Sequence, residues 1–254
     1  MEKKKEIKIY SIILLVLIYL ILTSIPFSLF IQNENTIYFL DISLRVIFIP
    51  IYFIYIRREK LESIKKPSFN KRDLLFIPFI LVTISNIFVA LISQFEINEL
   101  NNISIIKNMI FYALVAFNEE LIFRVTISSE LIKYNSKIKT IIYSSLIFGL
   151  IHLVNISSLS SIPYVLLQVL YSFGLGLILS LVYTYSNNFI YIVIIHFLFD
   201  FINGYLSVEL FKFEYNMWFF ILNISISLLF VLYGLLVYKK LERGDKNVSK
   251  NMDI

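Results

Sequence analysis

The sequence predicts an all-α fold: a polytopic transmembrane helical bundle of about eight spans, with both termini cytoplasmic. The composition is too apolar for a soluble domain, with 58% hydrophobic and only 16% charged residues and a mean hydropathy of +0.79. The apolar residues come in blocks near the roughly 20 residues that a helix needs to cross a ~30 Å hydrocarbon core. The basic residues fall between those blocks, with a strong bias to one side. Backbone polar groups in lipid must be satisfied within the segment, so helices are the expected solution.

Eight apolar segments follow one another at 10–31, 36–56, 74–95, 108–128, 139–155, 163–185, 189–207 and 217–238. The first comes after Lys3, Lys4, Lys5 and Lys8. It is longer than a signal-peptide core and no A-x-A-like site follows it, so it reads as an uncleaved first helix. The hydrophilic stretch 57–73, with Arg57, Arg58, Lys60, Lys65, Lys66, Lys71 and Arg72, is too short for a domain and reads as a cytoplasmic loop. Residues 1–73 thus form a two-helix front with its basic loop, and 74–238 a six-helix remainder. Residues 239–254 form a polar cytoplasmic tail, expected to be mobile, whose Lys239, Lys240 and Arg243 anchor the last helix at the headgroups. With the N-terminus inside, nineteen of the 23 Lys and Arg residues are cytoplasmic. Only Lys107 and Lys212 lie opposite, and Arg45 and Arg124 lie within apolar segments. That asymmetry is the positive-inside pattern. It also explains the net charge of +5 without nucleic acid as a partner. The chain has no cysteine, which excludes disulfides, thiolate catalysis and cysteine-ligated zinc.

Ionisable groups at bilayer depth are costly, and each is a functional hypothesis. Most of them fall in three clusters. Asn118-Glu119-Glu120-Leu121-Ile122-Phe123-Arg124 lies in the fourth segment. Glu120 and Arg124 share a helix face and can pair. Adjacent glutamates project about 100° apart, so Glu119 points elsewhere, without a sequence-local cation, as suits a general base. Phe148-Gly-Leu-Ile-His152 lies in the fifth segment and His196-Phe-Leu-Phe-Asp200 in the seventh, and these hold the only two histidines. Phe148, one turn before His152, can wall the imidazole. Asp200, one turn after His196, can orient that ring or offer its own carboxyl. Such clusters can meet only inside the bundle, where polar groups need one another or water. The resulting constellation is hydrolytic: Glu119 takes a proton from water, His152 holds that water, and His196 with Asp200 stabilises an oxyanion.

These residues resemble the signature of the CAAX-prenyl-protease and bacteriocin-processing (CPBP, or Abi) family of intramembrane proteases: E-E-x-x-x-R, F-x-x-x-H and H-x-x-x-(N/D), in that order. Glu119, Glu120 and Arg124 match the first, Phe148 and His152 the second, His196 and Asp200 the third. Gly174-Leu-Gly176 resembles the family's small-residue helix. The resemblance spans about 108–207. It implies an eight-span helical bundle that hydrolyses peptide bonds in or near the membrane. Glu119 and His152 would activate water, His196 and Asp200 would form the oxyanion side, and Glu120, Arg124 and Phe148 would support the site. Val125 stands where members often carry glycine, and Asp200 where asparagine is frequent.

No cofactor is favoured. Zinc is the alternative, with Glu119, His152 and His196 as three ligands and one open position. Against it, zinc-protease motifs usually place two histidines at i, i+4 on one helix. The expected function is therefore a glutamate-type endopeptidase of a bacterial plasma membrane, acting on a membrane-embedded or membrane-associated protein or peptide. Two other classes compete: a non-proteolytic bacteriocin-immunity or interaction protein, and a proton-coupled transporter. The latter gains no support from an internal repeat or from a pattern of broken helices.

Overall fold

A computed structural model describes residues 2–59, 74, 76–81, 83, 102–158, 162–206 and 217–252. Every regular element among them is helical. Among the described residues, five helices are long and apolar enough to cross a membrane. The expected third segment, 74–95, and the loop 57–73 lie largely outside the described residues.

Helix α1 runs from Glu2 to Thr23 and stops short of the expected residue 31. Pro26 is the reason: proline cannot donate to the helix and pushes its predecessor out of the α region. Only a 3-10 turn, Phe27–Leu29, follows. Helix α2, Glu34–Arg58, is started by Asn33, whose side chain accepts the Thr36 amide at 3.1 Å. Helix α3, Asn102–Glu120, passes without a break into a π-helix, Leu121–Ser128, and a last turn, Ser129–Leu131. Helix α4, Lys137–Leu150, tightens into a 3-10 helix, Ile151–Ser158. Helix α5 spans Ile162–Ser186 and helix α6 Phe189–Asp200, the latter followed by a π-helix, Phe201–Leu206. Helix α7, Met217–Met252, carries the helix through the polar tail that was expected to be mobile.

The central element is α5. Its most apolar window is 67% buried, whereas those of the other four candidate spans reach only 17–39%. Small residues bring its neighbours in. A Cβ on Gly176 would lie 3.1 Å from Phe148 Cδ1 and 3.2 Å from Ser145 Cα of α4, and one on Gly149 would lie 2.9 Å from the Val169 carbonyl. One on Gly174 would crowd Phe230 of α7 at 3.1 Å. Such close approach is what small residues provide between helices in lipid. A tight turn joins α5 to α6. Asn187 takes a left-handed φ of 52°, and the Asn188 side chain caps α6 by accepting the Tyr191 amide.

On the other side, α2 runs parallel to α3. Lys107 Nζ donates to Asn35 Oδ1, Tyr38 Oη donates to the Lys107 carbonyl, and seven residues further along α2 the Arg45 carbonyl accepts from Asn118 Nδ2 at 3.2 Å. These polar contacts join the N-terminal pair of helices to the helix that carries Glu119 and Glu120.

Candidate active site

The three polar clusters meet between α3, α4 and α6. At the centre is the Glu120 carboxylate, which is fully buried. One oxygen lies 2.9 Å from His196 Nδ1 and the other 3.0 Å from Arg124 Nε. The i, i+4 pairing of Glu120 with Arg124 is therefore present, and it extends across helices to α6. Arg124 is also fully buried. Its Nη1 donates to Ser144 Oγ of α4 at 3.2 Å, and its guanidinium lies 5.0 Å from the Phe148 ring centroid. Such partners offset the desolvation of a buried ion, although Arg124 Nη2 is buried without a hydrogen-bond partner among the described residues.

Glu119 turns away from Arg124, as the 100° step demands. Its carboxylate lies 3.6 Å from His196 Nε2, the same nitrogen that stands 3.2 Å from Asp200 Oδ2. The His196 ring thus has Glu120 on one nitrogen and faces Glu119 and Asp200 with the other. Exposure separates the two sets: Glu119 and Asp200 keep 13% and 23% of their side-chain surface, whereas Glu120 and His196 keep 0% and 1%. The first pair faces what can reach the site, and the second is its frame.

Phe148 walls both histidines. Its ring stands edge-on to His152 at 5.6 Å and to His196 at 5.5 Å, and against Phe123 at 5.0 Å. A single phenylalanine thus fixes the spacing of the two imidazoles while lying under the Arg124 guanidinium. Gly176 keeps it there by leaving room for its edge.

Two features were not read from the sequence. Ser144 and Ser128 complete the surroundings of Arg124, with their hydroxyls 2.9 Å apart and both donating to the Phe123 carbonyl. Lone serines in apolar runs give no signal of such a role. The π-helix after Glu120 was not foreseen either. Thr126 and Ser128 side chains donate to carbonyls five residues back, at Leu121 and Phe123, within that wider turn. π-segments gather at functional sites.

The three residues of the zinc alternative do not form a ligand set here. Among the described residues, no three His, Cys, Asp or Glu side chains are grouped so as to hold a metal ion. His196 also has its Nδ1 engaged by Glu120 and its Nε2 3.2 Å from Asp200, with Glu119 at 3.6 Å.

Residues 101–202 match the family model of type II CAAX prenyl endopeptidase Rce1-like proteins. This part of the chain is similar to a CAAX-protease domain. It begins with α3 and ends just after Asp200, so it holds Glu119, Glu120, Arg124, Phe148, His152, His196 and Asp200. Helices α1, α2 and α7 lie outside the matched residues. No curated protein and no solved structure matches the chain.

Proposed function

We propose that the chain is a glutamate-type intramembrane endopeptidase of a bacterial plasma membrane, cleaving a membrane-embedded or membrane-associated protein or peptide. The observation that supports this most is the division of labour between the adjacent glutamates. Glu120 is tied to Arg124 and His196, and Glu119 stands beside them with 13% of its side-chain surface exposed. In this reading Glu119 is the general base. It takes a proton from a water held by His152, the hydroxide adds to the scissile carbonyl, and Glu119 returns the proton to the leaving amine. His196, doubly protonated, donates Nδ1–H to Glu120 and turns Nε2–H to the developing oxyanion. Asp200, 3.2 Å from that nitrogen, orients the ring. It takes over the place of the more frequent asparagine without having to donate a hydrogen bond itself.

The test is cleavage of a fluorogenic peptide library by the purified protein in detergent, with Glu119→Gln and His152→Ala in parallel, each with and without a zinc chelator. Cleavage lost in both variants and resistant to chelation is expected. Cleavage abolished by chelation and restored by zinc would overturn the glutamate-type mechanism. Biological activity retained in full by Glu119→Gln would instead favour a non-proteolytic immunity or interaction protein. Proton-coupled flux in liposomes, lost in the same variants, would favour a transporter.

A further inference from the structure

Two tyrosine hydroxyls border the site, and the reaction above uses neither. Asp200 lies between Phe199 and Phe201 in the chain, and each of these rings packs against a tyrosine of another helix. Tyr171 of α5 stands 6.0 Å from Phe199, and Tyr112 of α3 stands 6.5 Å from Phe201, centroid to centroid. Both hydroxyls are close enough to Asp200 to feel its charge. They differ in what else they reach. The Tyr112 hydroxyl lies over the backbone of the π-helix, where a Cβ on Gly204 would be 2.9 Å from it. Tyr112 also stands two turns before Glu119, ~10 Å away along α3. The Tyr171 hydroxyl feels the Glu119 charge as well as that of Asp200. It therefore borders both of the partly exposed carboxylates.

Tyr171 is held from the His152 side. Asn155 follows His152 by three residues in the 3-10 helix, where side chains at i and i+3 eclipse. Its Nδ2 donates to Gln168 Oε1 at 2.8 Å. That occupies the Gln168 oxygen and leaves its amide N–H for the Tyr171 hydroxyl, one turn further along α5. The phenol oxygen then accepts from Gln168, and its O–H is turned from Gln168 and can donate into the site. A donor is needed there. Ionised carboxylates only accept hydrogen bonds, so an oxyanion forming beside Glu119 and Asp200 gains nothing from either. His152 holds the water, and a single His196 Nε2–H would otherwise face the growing charge.

We propose that Tyr171 is a further catalytic residue, whose hydroxyl gives the scissile carbonyl oxygen a second hydrogen bond beside that of His196 Nε2. This rests on the peptidase reading of the site. The phenol keeps its proton throughout, and its bond tightens as negative charge grows on the carbonyl oxygen. Gln168 and Asn155 are positioning residues that act through it, tying the donor to the element that carries His152.

Tyr171→Phe keeps the ring against Phe199 and removes only the hydroxyl. Its cleavage kinetics and those of Gln168→Leu are compared with wild type on the best-cleaved library peptide, alongside thermal unfolding. A phosphinate analogue of that peptide puts a tetrahedral anionic centre in place of the scissile amide, and its binding is measured on the same three proteins. Binding of the intact peptide is measured with each variant in the Glu119→Gln background. Tyr171→Phe is expected to lower kcat ~10²-fold, the usual loss for one oxyanion donor, and to weaken phosphinate binding in step. KM, intact-peptide binding and the unfolding midpoint should stay as in wild type. Gln168→Leu keeps the phenol but frees it, and should show the same pattern at smaller amplitude. An unchanged rate in Tyr171→Phe would overturn the proposal. So would equal losses of peptide and phosphinate binding, or a rate that falls only with the unfolding midpoint, since both mark a packing role. A wild type that cleaves no peptide removes the peptidase reading, and this role with it. A wild type that cleaves no faster than Tyr171→Phe removes the role alone.

Discussion

At the scale of single residues, the site consists of carboxylates that are chemically alike and placed differently. Glu120 and Glu119 are neighbours in the chain, yet one is fully buried between Arg124 and His196 and the other is partly exposed. Their substitutions should therefore fail in different ways. Glu119→Gln should lower cleavage by at least ~10²-fold, the usual contribution of a general base, with no change in thermal unfolding. An unaltered rate would remove Glu119 from the mechanism. Glu120→Gln keeps the shape but leaves Arg124 and His196 without their counter-charge, and breaking a buried pair costs about 3–5 kcal/mol. A lowered unfolding midpoint in detergent is expected, and a midpoint equal to wild type would show that the pair carries no stability. The pairing of Glu120 with Arg124 could be read from their spacing, because i, i+4 on a helix brings two side chains together whatever surrounds them. The bond from Glu120 to His196 could not, because it joins residues 76 apart on two helices.

Among elements, the packing of α4 on α5 decides where Phe148 sits, and Phe148 decides the spacing of the histidines. Gly176→Val should bring Cβ and its methyls against Phe148 and Ser145, at a cost of about 1–3 kcal/mol for overpacking. Since the displaced ring walls both imidazoles, cleavage should fall more steeply than stability. Measuring both on one preparation checks this, and equal, modest losses would show that Phe148 is only core. The segments themselves were legible because twenty apolar residues in a row have few alternatives in lipid. Their ends were less so. Pro26 ends α1 earlier than hydropathy suggests, and α7 continues as helix through Lys239 and Lys240 because a polar sequence with helix-forming residues need not unwind where the lipid ends. Hydropathy reports the surroundings of a helix and is blind to its pitch, so the π- and 3-10 segments left no trace in the pattern.

For the whole molecule, the basic residues predict an orientation. With no native cysteine to interfere, single cysteines can be introduced for labelling in cells. Positions within 57–73 and after Lys239 should react only once the cytoplasmic face is opened, and positions beside Lys107 should react from outside. Labelling of the 57–73 loop in intact cells would reverse the topology. The three polar clusters could be expected to converge, since lipid offers them no other environment. What the sequence left open was how the front pair of helices joins the rest. That depends on side-chain contacts between α2 and α3, such as Asn118 with the Arg45 carbonyl, and single residues at ordinary spacing do not announce them.

The π-helix Leu121–Ser128 carries a consequence for length rather than for chemistry. A π-turn spends more residues on each revolution than an α-turn, so this stretch holds surplus chain between Glu120 and the C-terminal end of its span. Removing one residue from it would let the backbone wind into ordinary α-helix with the downstream residues near their present phase, because an α-turn completes a revolution with fewer residues. The bonds that Thr126 and Ser128 make to carbonyls five residues back would go with the wide turn. A one-residue deletion is therefore a change this stretch can absorb, whereas the same deletion in the α-helix before Glu119 would turn that helix by about 100° against the two glutamates.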